Sequence, residues 1–431
     1  MLYENGVEKE LILAMKTNVI HSSLSVALLA LCCCQAKAQI YDTNGDYVQT
    51  FAGSGFTGYV DGVGQQTMFN YPSKVAADSF GNLFVMDGGN SRIRKITPDG
   101  TVTTFAGGGT GNLPGYGTSV SLANYIIPTD GGSMIVDRSN TLLLTRTVND
   151  AALLRIRSDG YVTATSLPDF SQQSGLCVDS GNNIYYSSYV NKIYRYKTNG
   201  VIEVFAGSGN WGAVDGNGIF TSFSTPTALA ADGADNIYVY DSGNYLIRRI
   251  NQNRDVVTIA GNNLEDLDGV GRNASFYSIS AMCTDESGNV ILACGLSIRK
   301  MSPTTNIITL AGNFSQHGYA NGAGNVARFN GASGVCVSGG TVYFADYNNQ
   351  RIRSITNNAT AQPVLPANLQ LNTYSVLTIT GTVGRTYQVQ SSPDMTNWTT
   401  RATLLLNSSP YLWIDQNPVS GSKFYRALLL P

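Results

Sequence analysis

Charged side chains are scarce in this chain and histidine is nearly absent. Asp, Glu, Lys and Arg make up 13% of the 431 residues, and there are two histidines. The 27 basic residues nearly cancel the 29 acidic ones, so no global field exists to hold a nucleic acid or an anionic membrane surface, and nucleic acid is excluded as an expected partner. Past residue 38 the only histidine is His317, which rules out a closed zinc site built from the usual nitrogen and sulfur ligands. No Gly-x-Ser-x-Gly elbow occurs, and a Ser or Cys nucleophile would have only His317 as its base. Glutamate is confined to Glu203, Glu265 and Glu286 between residues 39 and 356. Beyond the N-terminal segment no apolar run approaches the roughly 20 residues that span a bilayer.

What is abundant is glycine, 46 residues, which with so little charge favours many turns and an all-β chain. Residues 1–38 read as an export signal: Met15-Lys16 is a short positive region, Val19 to Cys34 an apolar run, and Ala36-Lys37-Ala38 an A-x-A cleavage site. The acidic residues before Met15 do not belong to such a signal, so Met15 is the expected start and Gln39 the first mature residue. Cys177, Cys283, Cys294 and Cys336 then remain. Three of them fall at one repeat position, where Ala76 and Ala230 stand in other copies, and act there as small hydrophobes. Buried free thiols are expected, since equivalent positions in neighbouring repeats lie beyond disulfide reach; a disulfide is the alternative.

The repeat organises everything from residue 39 to 356. The stretch Val239 to Ile250 (VYDSGNYLIRRI) recurs as Phe84 to Ile96 and Phe344 to Ile355. Each unit has an outer strand ending in Ala-Gly, as in Val102 to Gly107 and Val256 to Gly261, with Tyr161 to Thr165 a degenerate copy. Three short strands follow, separated by turn residues. Six such triplets begin near residues 75, 134, 175, 228, 281 and 334. Six four-stranded units at roughly fifty-residue spacing describe a six-bladed β-propeller. Because the last triplet has no outer strand after it and Val48 to Ala52 precedes the first, the N-terminal strand is expected to complete the last blade and close the ring.

These units resemble NHL repeats, on the strength of Asp87-x-x-Asn90, Asp241-x-x-Asn244 and Asp346-x-x-Asn349 with Ile93-Arg94, Ile247-Arg248 and Ile352-Arg353. The resemblance implies a six-bladed propeller of the secreted bacterial type and is nearly silent on chemistry, because one fold hosts many activities. The second unit departs from the pattern, as does the fifth, where Cys294-Gly295 replaces the Asp-x-x-Asn turn.

A second recurrence lies in the connections: Asp61-Gly62-Val63-Gly64, Asp215-Gly216-Asn217-Gly218, Asp268-Gly269-Val270-Gly271 and Asn321-Gly322-Ala323-Gly324. Each is followed at a fixed offset by Phe69, Phe223, Phe276 or Phe329, whose buried ring would anchor an ordered loop. Propeller topology places these DGxG inserts and the Asp-x-x-Asn turns on one surface, and loops on a rigid scaffold are where binding resides. The candidate binding residues are therefore Asp61, Asp215, Asp268 and Asn321, with Arg92 and Arg351 as exposed contacts beside the turns, and His317 in an insert. Against this, Asp-Gly is an ordinary turn dipeptide, and Asp87, Asp241 and Asp346 are expected to accept backbone N–H groups within their own turns. No cofactor is expected; Ca²⁺ on the insert carboxylates is the alternative.

After Ile355 the period stops. Residues 357–366 are a linker by composition, and 367–431 form a small antiparallel β-sandwich with Trp398 and Trp413 as core, resembling a C-terminal module of secreted bacterial proteins used for attachment or display. The expectation is a monomeric, secreted or envelope-bound, non-enzymatic binding protein that recognises a protein or glycan through the insert face, without a membrane span. The alternative is a divalent-cation-dependent hydrolase or lyase with its site in the central channel.

Overall fold

A computed structural model describes residues 39, 42, 45–123, 126, 132–145, 152–170, 175–262, 265–357, 368–371, 376–392, 396–407, 409, 411–414 and 424–430. The expected export signal (1–38) and the linker from 358 onward lie outside them. The chain divides into two compact units, Met1–Asn357 and Asn358–Pro431.

The larger unit is a β-propeller. Its six triplets form six antiparallel sheets, numbered I to VI in chain order, whose innermost strands are Pro72–Ala77, Met134–Val136, Leu176–Val178, Pro226–Ala231, Ala281–Thr284 and Ala332–Ser338. These strands touch one another in turn around a ring, and the last returns to the first. In sheets I to V the fourth strand is the next in sequence. In sheet VI it is the N-terminal strand Asp46–Ala52, paired antiparallel with Arg351–Asn357. All sheets but III carry a two-residue fifth strand taken from the insert, such as Gly62–Val63 against Thr101–Gly107.

The Ala-Gly ending has a steric cause. Gly53, Gly107, Gly207, Gly261 and Gly312 hold φ between 88° and 100°, and a Cβ on each would fall 2.2–2.6 Å from a backbone oxygen at the start of the neighbouring strand. Only glycine fits. Just before it the outer strand bulges, leaving Phe51, Phe105 and Ile259 unpaired, a kink that turns the strand toward the next sheet. The degenerate outer strand Tyr161–Ser166 pairs without a bulge.

The inserts are ordered. Gly64, Gly218 and Gly271 are left-handed, with φ of 54–56°, and each donates its N–H to a carbonyl in the turn before the outer strand, of Gly100, Arg254 or Thr305 respectively, at 2.9 Å. Phe69, Phe223, Phe276 and Phe329 are fully buried, as is Leu122 in the acid-free copy, each ring contributing roughly 2–3 kcal/mol. Among the described residues no helix is long and apolar enough to cross a membrane.

The smaller unit has two three-stranded sheets, Asn368–Leu371, Val376–Thr380 and Tyr411–Ile414 in one and Thr386–Ser392, Thr399–Leu405 and Phe424–Leu429 in the other. Ile379, Tyr387, Val389 and Leu406 form its core. Trp398 is half-buried under the Arg426 guanidinium at 4.2 Å; the Trp413 side chain lies outside the described residues.

Candidate functional site

The residues that the repeat singles out converge on four buried arginines. Arg94, Arg248, Arg299 and Arg353, in sheets I, IV, V and VI, are fully buried. Arg248 donates to Asp241 at 2.9 Å, to Asp215 at 2.7 Å, and to the carbonyls of Ser222 at 3.1 Å and Val214 at 3.0 Å. Arg94 repeats this with Asp87, Asp61, Met68 O and Val60 O. Arg353 does so with Asp346 and, in place of an acid, the Asn321 side-chain oxygen at 2.9 Å. Each of these three guanidinium groups thus clamps the second-strand turn to the insert, with a carboxylate or amide oxygen and carbonyls filling its planar fork.

Asp87, Asp241 and Asp346 accept N–H groups of Asn70, Ser224 and Asn330 at 2.6–2.8 Å, from the insert ends 16 or 17 residues upstream. Their backbone partners are therefore not within their own turns. Their second oxygen takes the turn asparagine and the arginine. Burial pushes all three carboxyls up, while these hydrogen bonds and the arginine charge oppose it.

Of the sequence candidates, Asp61 and Asp215 are half-exposed partners of the clamp, and the Asp268 side chain is wholly buried against Arg299 at 2.9 Å. Arg92 and Arg351 are half-buried braces. They lie over the Tyr59 and Tyr319 rings at 4.2 and 3.9 Å and donate to Asn90 O and Asn349 O. His317 is exposed. These seven residues do not meet in one place; they are spread over sheets I, IV, V and VI. Among the described residues no three His, Cys, Asp or Glu side chains converge. The four cysteines are free, and burial raises each thiol, Cys294 to about 12.

A concavity of small-ligand size lies elsewhere. The inner strands enclose an axial cavity of about 590 Å³, within the range of ordinary small-ligand sites. Its wall is mainly aliphatic. At one end it is lined by Thr225, Ser242, Tyr245, Tyr277 and Ser278, where the ends of the sheet IV and V inserts meet the sheet IV turn. Tyr277 is 65% exposed. Lys74, the one charged residue in any inner strand, is buried and donates to Ser333 O at 2.9 Å and Ser280 O at 3.2 Å. Its charge in the apolar run PSKVAA is a sequence signal that points to the axis. Tyr245 and Tyr277 stand at repeat positions held elsewhere by polar residues, Ser91 and Gln350 for the first and Asn70, Ser224 and Asn330 for the second, and carry no such signal.

No protein-family model matches the chain, and no curated protein matches it in sequence. Among solved structures it is similar to a structural-genomics protein of unknown function from Bacteroides thetaiotaomicron, with 18% identity over 72% of this chain and 76% of that one and a TM-score of 0.55. It is equally similar to an auxiliary nutrient binding protein from Bacteroides ovatus, at 16% identity, the same coverage of both chains, and a TM-score of 0.55. An auxiliary nutrient binding protein from Bacteroides thetaiotaomicron follows at 16% identity, 72% and 76% coverage, and a TM-score of 0.54. At such identities the likeness is one of fold, and it is a propeller's.

Proposed function

We propose that the protein is an exported six-bladed propeller of the NHL type, closed by its N-terminal strand, that works by binding rather than turnover. Its recognition site is the mouth of the axial cavity, on the face where inserts and turns come together. The observation that carries this is the 590 Å³ cavity opening among Tyr245, Tyr277, Thr225, Ser242 and Ser278, which offers ring faces and hydroxyls and few titrating groups. Such groups bind and orient a polar ligand, and no carboxylate or imidazole stands among the residues named at this mouth to move a proton at neutral pH. The solved nutrient binding proteins of like fold accord with a binding role. The clamp residues Asp61, Asp215, Asp268 and Asn321, with Arg92 and Arg351, hold the inserts that shape this face, and His317 lies in one of them. The two small sheets of the C-terminal unit act as a sandwich module for attachment or display.

The test is calorimetric titration of the chain from Gln39 with neutral saccharides and short peptides, with product analysis by NMR. Tyr245→Ala with Tyr277→Ala should abolish binding, and the ligand should be recovered unchanged. Conversion of the ligand would establish the enzymatic alternative, and binding indifferent to both tyrosines would remove the cavity mouth as the site.

A further inference from the structure

Sheet V breaks the repeat at the place where its partners are most regular. In sheet I six residues, 87–92, join Met86 to Ile93; in sheet V four, 294–297, join the equivalent Ala293 to Ile298. The missing turn takes with it the acid that neutralises the arginine elsewhere. Arg299 keeps the insert acid Asp268, and Asp266 approaches it at 3.7 Å in place of the turn acid. The shortened turn bonds sideways to sheet VI through Gly295 and Ala332. Beside it lies a second cavity, of about 520 Å³, lined by Asp266, Glu265, Cys294, Leu296 and Phe314.

This second cavity shares Tyr277 and Ser278 with the axial one, so an exposed tyrosine stands on the ridge between two adjoining spaces. From this juxtaposition we infer that the ligand is a linear neutral oligosaccharide of at least two units, whose terminal unit enters the axial cavity while the next crosses Tyr277 into the sheet V cavity. The inference rests on the cavity-mouth reading above.

The chemistry of the walls selects this class. A tyrosine ring offers an apolar face to the C–H side of a sugar and a hydroxyl at its edge. Asp266 and Glu265 offer acceptors for sugar hydroxyls, and they repel uronic, sulfated or phosphorylated chains. Asp266 already takes the Tyr277 N–H at 3.1 Å, which ties the ridge to the acid beneath it. A single small molecule would fill one cavity and leave the second idle.

The experiment uses the chain from Gln39 and α- and β-linked neutral gluco-oligosaccharides of one to six units, titrated calorimetrically, with a basic hexapeptide as comparison. Affinity should rise from one unit to two or three and then level off. Glu265→Gln and, independently, the cavity-filling Leu296→Trp should each weaken the trisaccharide roughly tenfold and leave the monosaccharide unchanged, with Tyr245→Ala weakening both. Equal affinity for one and three units, or side-cavity variants without effect while Tyr245→Ala abolishes binding, would overturn the second subsite and leave the cavity mouth standing. Binding of the peptide but no saccharide would overturn the ligand class. Indifference to Tyr245→Ala would overturn the mouth itself.

Discussion

The arginine clamp makes a quantitative prediction, because one guanidinium holds two carboxylates in very different surroundings. Asp241 is fully buried. It receives Ser224 N–H at 2.6 Å, the Asn244 amide at 2.7 Å and Arg248 at 2.9 Å. Asp241→Asn removes the charge and turns an NH₂ toward two donors, leaving a buried cation short of its main counter-charge, a loss of about 3–5 kcal/mol. Asp215 serves the same arginine with a side chain that is 46% exposed, so water can replace it, and Asp215→Asn should cost roughly 0.5–1.5 kcal/mol. At about 2 °C per kcal/mol for a domain of this size, thermal unfolding followed by far-UV circular dichroism should show Tm lower by about 6–10 °C for the first variant and 1–3 °C for the second. In the double variant the arginine loses both partners, so the combined loss should exceed the sum by at least about 1 kcal/mol. Equal shifts for the two single variants, or strict additivity, would refute the clamp as the reason these acids recur.

Three further outcomes follow from the packing. Gly261→Ala sets a Cβ 2.2 Å from Tyr245 O at a φ of 96°, and should destabilise by about 2–3 kcal/mol; Gly200→Ala, also left-handed but with nothing within 4 Å, should cost only about 1 kcal/mol in the same urea titration. Burial pushes the Asp46 carboxyl up to about 6, with Asp42 adding to the rise and Lys300 opposing it. The folded state therefore holds the Asp46 proton more tightly than the unfolded chain, and the stability this gives is full below about pH 4 and lost as pH rises through 6. Asp46→Asn should stabilise at pH 7 by about 1–2 kcal/mol, less than the full shift implies because Oδ2 is buried without a hydrogen-bond partner and an amide there stays unmet, and should change nothing at pH 3.5. Burial pushes all four free thiols up; Cys177, Cys294 and Cys336 are buried while Cys283 is only partly so, so at pH 8 at most one thiol should react before urea exposes the rest, and rapid labelling of three or four in the native protein would contradict their placement.

Much of the framework was legible in the chain. The inner strands expected near residues 75, 134, 175, 228, 281 and 334 begin at Pro72, Met134, Leu176, Pro226, Ala281 and Ala332, because short apolar runs and turn residues are local signals. The anchoring of Phe69, Phe223, Phe276 and Phe329 could be read in the same way, from a fixed offset to a glycine turn. The partner of Asp241 could not. The Asp-x-x-Asn spacing suggests a self-contained turn, and it takes the folded insert to bring the Ser224 N–H to that carboxylate. Arg92 and Arg351 look like solvent contacts until Tyr59 and Tyr319 are seen beneath them.

The sequence by itself determined the all-β class, the number of triplets and the ordered inserts, since each depends on contacts within a few residues or on a spacing that repeats. Only the tertiary structure brought together the residues of the proposed cavity-mouth site. Tyr245, Tyr277, Thr225 and Lys74 come from three sheets separated by long stretches of chain, and they become neighbours only when the inner strands close around the axis. The shortened turn of sheet V looks like decay in the repeat. In three dimensions it is the edge of a cavity that shares Tyr277 with the axial site, because removing a turn from a packed ring leaves its space open to whatever lies beside it.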